Sequence, residues 1–210
     1  MKGETICKLQ QLFGHNFIGP EQVNTLLKVM GLPLLKDSDV PEIDYSPEVL
    51  QDKAQDYLLV LGYAGSIDLP INIIRFRETF GVDPEKNEPC LYNQDWYLQE
   101  EFIQKTLETK WYLLKRDVIE VSRAVQPQEL IQQNIEFPTA ILCVYSFFAA
   151  YFSYGDYLWY YDFVWCSDLD HNGDRIYVGK YHDIDGVNKN GFSIHRHLAL
   201  RPCYGAVVVK

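Results

Sequence analysis

From Ala140 to Phe152 the chain runs for about thirteen residues without a charge, its longest apolar stretch. A bilayer crossing needs roughly twenty such residues, so the run is too short to span and reads as a buried helix. Phe137-Pro138-Thr139 opens it. Such a helix needs a body around it, and 210 residues suffice for one large core, or for a compact body with a small appendage.

The segments before this run are mostly helical in spacing. Glu4 to Phe13 and Pro20 to Met30 read as helices, the second with Pro20 at its first position and a stop at Gly31. Leu32 to Tyr45, broken by Pro33 and Pro41 and rich in Asp and Glu, is the expected boundary between residues 1–45, a helical N-terminal segment, and residues 46–210, the main body. Ser46 caps a helix from Pro47 to about Asp56, and Tyr57 to Leu61 reads as a buried strand. Leu69 to Phe80 and Trp96 to Leu107 carry helical spacing, and Trp111 to Val121 alternates like a long strand.

From Tyr161 the pattern changes to β. Strands are expected at Asp162 to Cys166, Arg175 to Tyr181, Phe192 to Leu200 and Ala206 to Val209, with a turn at Asp168 to Asp174 and a polar loop at His182 to Gly191. The fold class is therefore α+β with a β-rich C-terminal fifth. Tyrosine, present fifteen times, adds to the β tendency and to half-wet ring-bearing faces.

A net charge of −10 without a Lys/Arg cluster argues against nucleic acid as a partner. The five scattered cysteines form no Cys-x-x-Cys pair, and Met1 to Gly14 lacks the apolar core of a secretory signal. Reduced thiols and a cytoplasmic location are the expectation. Gly-x-Ser-x-Gly, Walker-type and Gly-x-Gly-x-x-Gly motifs are all missing, which leaves covalent catalysis and nucleotide binding without positive support.

Three constellations could carry chemistry. Asp168, Asp170 and Asn172 followed by Gly173 match the opening of a calcium loop, but Gly179 stands where the closing bidentate glutamate belongs. A hairpin turn built on Asp and Asn side chains explains the same letters. His195 and His197 share one side of a strand and could hold zinc with His182, Asp183 or Asp185, or could lie with Ser193 on a solvated face. Cys166 with either histidine could form a nucleophile and base, against a buried inert thiol. Asp95, Glu100 and Glu101 read as a solvated acidic face. The aromatic crowd from Tyr151 to Tyr161, Trp159 and Tyr160 included, could stack a sugar or anchor a protein, or could line the core.

The order of signals from Phe137 onward resembles the C-type-lectin-like fold, in the branch of formylglycine-generating enzymes, retroelement variable proteins and many bacterial surface and phage proteins. Phe137-Pro138-Thr139, Val164-Trp165-Cys166-Ser167, Ile176-Tyr177-Val178-Gly179, Gly186-Val187-Asn188 and Arg201-Pro202 carry the resemblance, and Leu69-Pro70 and Trp111-Tyr112-Leu113-Leu114 extend it towards Tyr57. The two nearby copper-binding cysteines of the enzymes have no counterpart. What the resemblance implies is therefore a binding role, with Asn188, Asn190, His195 and His197 on or near a recognition surface.

The expected function is a non-catalytic module that recognises a protein or glycan through its C-terminal loops, using Trp159, Tyr160, Asn188, Asn190, His195 and His197, with no obligatory cofactor. The competing expectations are a metal-dependent enzyme on His195, His197 and a carboxylate, and a structural subunit of a phage or surface assembly.

Overall fold

The structure, a computed structural model, describes residues 2–182, 190–196 and 200–210. In chain order its helices are α1 (Lys2–Phe13), α2 (Pro20–Val29), α3 (Pro47–Lys53), α4 (Ile73–Phe80), α5 (Pro127–Gln132) and α6 (Ala140–Tyr154). Its strands are β1 (Phe17–Ile18), β2 (Tyr57–Leu61), β3 (Trp111–Lys115), β4 (Phe163–Leu169), β5 (Arg175–Gly179), β6 (Ser193–His195) and β7 (Tyr204–Gly205). The protein is α+β. No helix among the described residues is long and apolar enough to cross a membrane.

α6 is the axis of the molecule. Thr139 caps it, its hydroxyl accepting from the Leu142 N–H at 3.3 Å, and Gly155 ends it in the left-handed conformation at φ 72°. Every residue from Ala140 to Ala150 is buried, so no solvent-facing stripe exists. Phe147 and Phe148 sit among Phe76, Phe80, Phe152, Tyr181 and Phe192, with ring centroids 4.5 to 6.5 Å apart. Burying one such ring stabilises the fold by roughly 1.5–3 kcal/mol.

Two sheets flank this helix. The first has the order β1-β2-β3, with β1 parallel and β3 antiparallel to β2. All five residues of β2 are buried, as a strand covered on both faces requires. The second has the order β6-β5-β4-β7. Its inner face (Val164, Cys166, Ile176, Val178, Ile194) joins the main core, while Phe163, Trp165, Tyr177 and Tyr204 build a smaller cluster with Leu130 and Phe137 on the outer face. The C-terminus ties the sheets together. After β7 the backbone returns to β3, where Lys115 N donates to Val208 O and Lys210 N to Leu113 O.

Residues 1–45 share the core of residues 46–210. One apolar cluster runs from Leu9 to Val207, and β1 pairs with β2. The boundary expected near Tyr45 is a surface connection and does not separate two cores.

Several expected elements come out differently. Trp96 to Leu107 forms only a single 3-10 turn at Glu101–Gln104, because Trp96, Tyr97 and Glu100 are each drawn to a different partner. The strand from Trp111 stops at Lys115, since Arg116 turns aside to bond Asn16 and Asp156. The helix expected from Leu69 starts at Ile73 under an Asn72 cap, the residues before it being held in a tight turn by Ile71 N donating to Ala64 O. Of the strand expected from Phe192 to Leu200, Ser193–His195 is strand and residues 197–199 lie outside the described residues, while the last described strand is Tyr204–Gly205 rather than Ala206 to Val209.

Candidate functional site

The turn between β4 and β5 is closed by Asp170. Its Oδ1 accepts from Asn172 N at 2.9 Å and Asp174 N at 2.8 Å, while Gly173 takes φ 86°. Its Oδ2 meets the Arg196 guanidinium. Burial pushes this carboxyl up, but the Arg196 bond and the two backbone N–H groups outweigh that and hold it below the ordinary range. Asp168 is committed elsewhere, to Lys105 Nζ at 2.7 Å and to the Ala140 N–H at the start of α6, also at 2.7 Å. Asp168 thus serves a helix terminus, and Asp170 with the Asn172 backbone forms the hairpin turn that the sequence offered beside a calcium loop.

Beside the turn lies a group the sequence did not reveal. Glu100, buried rather than solvated, accepts from the His171 backbone N–H at 2.9 Å, and its other oxygen lies 2.6 Å from His171 Nδ1. Arg196 reaches Glu100 and Asp170 together, its guanidinium 4.5 Å from the Trp96 ring centroid. Among the described residues Glu100, Asp170 and His171 form the one trio whose ligating atoms come within 4.8 Å of one another. The positive charge that this trio would call for is already supplied by Arg196.

β6 is covered along its free edge. Residues 90–97 run along it as a strap: Phe192 N donates to Cys90 O, Tyr92 N to Phe192 O, and the Trp96 indole N–H to Ile194 O at 3.1 Å. Ser193 is therefore buried, and His195 is enclosed by Tyr92, Phe163 and Tyr177 with Gln94 Nε2 2.9 Å from its Nδ1. Burial first, then the nearby Lys180 charge, pull the His195 pKa down to about 4, so the ring is neutral at pH 7. Of the face expected to carry Ser193, His195 and His197, Ser193 is buried and His195 half-buried. His197, Asn188, Asp183 and Asp185 lie outside the described residues.

Cys166 and His195 lie on opposite faces of the sheet, one in the main core and the other against the outer aromatic cluster. They do not form a nucleophile–base pair. Burial raises the Cys166 thiol well above its ordinary value, and raises Cys90 to about 11.

Of the aromatic candidates, Trp159 is a core anchor. It is 7% exposed, at φ 51°, and its indole donates to Arg116 O at 2.8 Å. Tyr160 is half-buried and touches Tyr161 and His182, while Tyr161 is 48% exposed. His182 N donates to Tyr160 O and Asn190 N to Tyr181 O, which brings Tyr160, Tyr161, His182 and Asn190 into one patch. Next to it Asp162 accepts two bonds from Arg123, at 2.7 and 3.2 Å, and Arg123 also bonds Pro202 O. Tyr161 was visible in the aromatic run. Arg123 carried no local signal.

Comparison with known proteins finds no matching family, no matching curated protein and no matching solved structure.

Proposed function

We propose that the chain is a non-catalytic binding module that recognises a protein or glycan through the patch formed by Tyr160, Tyr161 and Asn190. The observation that carries this reading is the Tyr161 ring, half in water yet backed by Tyr160 and His182 and flanked by the Arg123–Asp162 fork. A ring held in this way offers a stacking face with little conformational entropy to lose, and the fork and Asn190 add directional polar contacts. His182 and Asn190 are also the residues that flank the polar segment of residues 183–189 in the sequence, where Asn188 belongs.

The lectin-like body is part of the same proposal. Thr139 caps α6, Val164-Trp165-Cys166-Ser167 fall within β4, and Ile176-Tyr177-Val178-Gly179 fall within β5, which supports the motif order that suggested it. The high thiol pKa values of Cys90 and Cys166 favour binding over a thiolate reaction.

Glycan-array screening of the intact chain, paired with photo-crosslinking from a benzoyl-phenylalanine at position 161, tests the reading. A saturable glycan or a single crosslinked partner is expected, weakened about tenfold by Tyr161→Ala, which is the loss of roughly 1.4 kcal/mol of stacking. Binding that ignores Tyr161→Ala and Asn190→Ala together would refute the patch.

A further inference from the structure

Beside the N-terminus of α6 lies a cleft of about 490 Å³, inside the range of roughly 300–1,000 Å³ typical of small-molecule sites. Arg175 lines it. The guanidinium donates through Nη1 to Cys166 O at 2.8 Å and sits 5.4 Å from the Phe137 ring centroid. Among the described residues it has no ion-pair partner, and its Nε and Nη2 make no bond to the protein. Neither of these atoms is sealed from solvent. The nearby Asp168 is already held by Lys105 and by the first N–H of α6.

Other features give the cleft a polarity. Thr139 and Leu142, from the cap and first turn of the fifteen-residue α6, line the Arg175 end, where the helix N–H groups are already taken by Asp168 and Thr139, so the attraction for an anion there comes from the guanidinium. Lys110, Tyr112, Glu136 and Val209 also line an adjoining hollow of about 240 Å³, and therefore mark the other end. There Lys110 is neutralised by Glu108 at 2.7 Å. Between the ends, Leu107, Ile131, Ile135, Phe137 and Leu142 supply apolar surface beside the polar Thr106 and Glu136. Burial lowers the Arg175 pKa from its ordinary value, against the opposing pull of the nearby Asp168 charge.

We propose that this cleft binds an organic acid, its carboxylate gripped side-on by Nε and Nη2 of Arg175 and its apolar tail lying along Phe137 and Leu142 towards Val209. Arginine's planar fork matches a carboxylate through two parallel N–H bonds, which a neutral amide of the same shape cannot reproduce. The site is separate from the Tyr161 patch and does not depend on it.

Calorimetric titration of the full chain with octanoate and 4-phenylbutyrate, each beside its primary amide, and with inorganic phosphate tests the assignment. Saturable binding of at least one acid is expected, with its amide and phosphate each weaker by about tenfold or more, the loss of one charge-assisted contact of roughly 1.4 kcal/mol. Arg175→Gln should abolish acid binding and Arg175→Lys should restore part of it. Ser167→Trp, at an exposed position lining the Arg175 end, should block the cleft at unchanged melting temperature, which guards against misfolding of the arginine variants. Failure of both acids to bind, equal affinity for acid and amide or for acid and phosphate, or indifference to Ser167→Trp would each overturn the proposal.

Discussion

The first sheet meets α6 through aliphatic side chains from its own strands, whereas the outer edge of the second sheet is fixed by charges that arrive from distant parts of the chain. β2 contributes five buried residues and not one ion pair of its own. At the β6 edge, Arg196 gathers Glu100 and Asp170, and Trp96 covers it. Apolar contact is non-directional and tolerates small shifts of register. A guanidinium between two buried carboxylates does not, because any slip leaves a charge out of water without a partner. Packing thus holds one region, and orientation holds the other.

The largest effect belongs to the packed region. Phe147 is fully buried and touches the rings of Phe148, Tyr157, Tyr181 and Phe192. Phe147→Ala should cost about 3–5 kcal/mol, read as a lowered urea midpoint at unchanged m-value. A loss below about 1 kcal/mol would mean that α6 is not the centre of the core.

Arg196→Met comes next. The methionine keeps an apolar stem beside Trp96 but strands Glu100 and Asp170, and the expected loss is about 3 kcal/mol at pH 7. Adding Glu100→Gln and Asp170→Asn to the same chain should recover most of it, since the cost is the unpaired charge and not the missing contact. A neutral single variant would reduce the cluster to a screened surface feature.

His195 sharpens the contrast through pH. Its folded pKa of about 4 lies below the 6.5 of an unperturbed ring, so the folded chain binds the proton less readily than the unfolded chain. The stability that comes from keeping this ring neutral is complete above pH 6.5, falls as the pH drops towards 4, and amounts to on the order of 3 kcal/mol. His195→Gln should flatten that slope. Asp170, also depressed, adds a loss at lower pH, below the ordinary carboxylate range.

The same division explains what could be read from the sequence. β2 lies at Tyr57–Leu61 as its apolar run announces, and Ser46, Thr139 and Gly155 terminate their helices by local rules that operate within a few residues. The strap over β6 follows no such rule. Glu100 meets His171 at a separation of 71 residues and Arg196 at 96, so its letters read as a solvated acidic face until the fold brings a half-buried guanidinium to it. The aromatic patch was half legible, since the run of tyrosines showed rings in excess but not which of them the main core would claim. Arg175 was equally hidden, because its strand position does not say that its guanidinium forms no ion pair among the described residues.

The smallest expected effect belongs to Tyr161, two positions from a ring the core claims. Trp159 and Tyr161 belong to the same aromatic run, yet one donates its indole to Arg116 O inside the fold and the other lies half in water. Trp159→Ala should cost about 3–5 kcal/mol as a buried large-to-small change, whereas Tyr161→Ala should stay within about 0.5 kcal/mol of the parent, both measured by thermal and urea unfolding. A Tyr161 loss approaching that of Trp159 would make the ring part of the scaffold. A small loss leaves a rigidly backed aromatic that the fold does not need for its own stability, the property expected of a contact kept for a ligand.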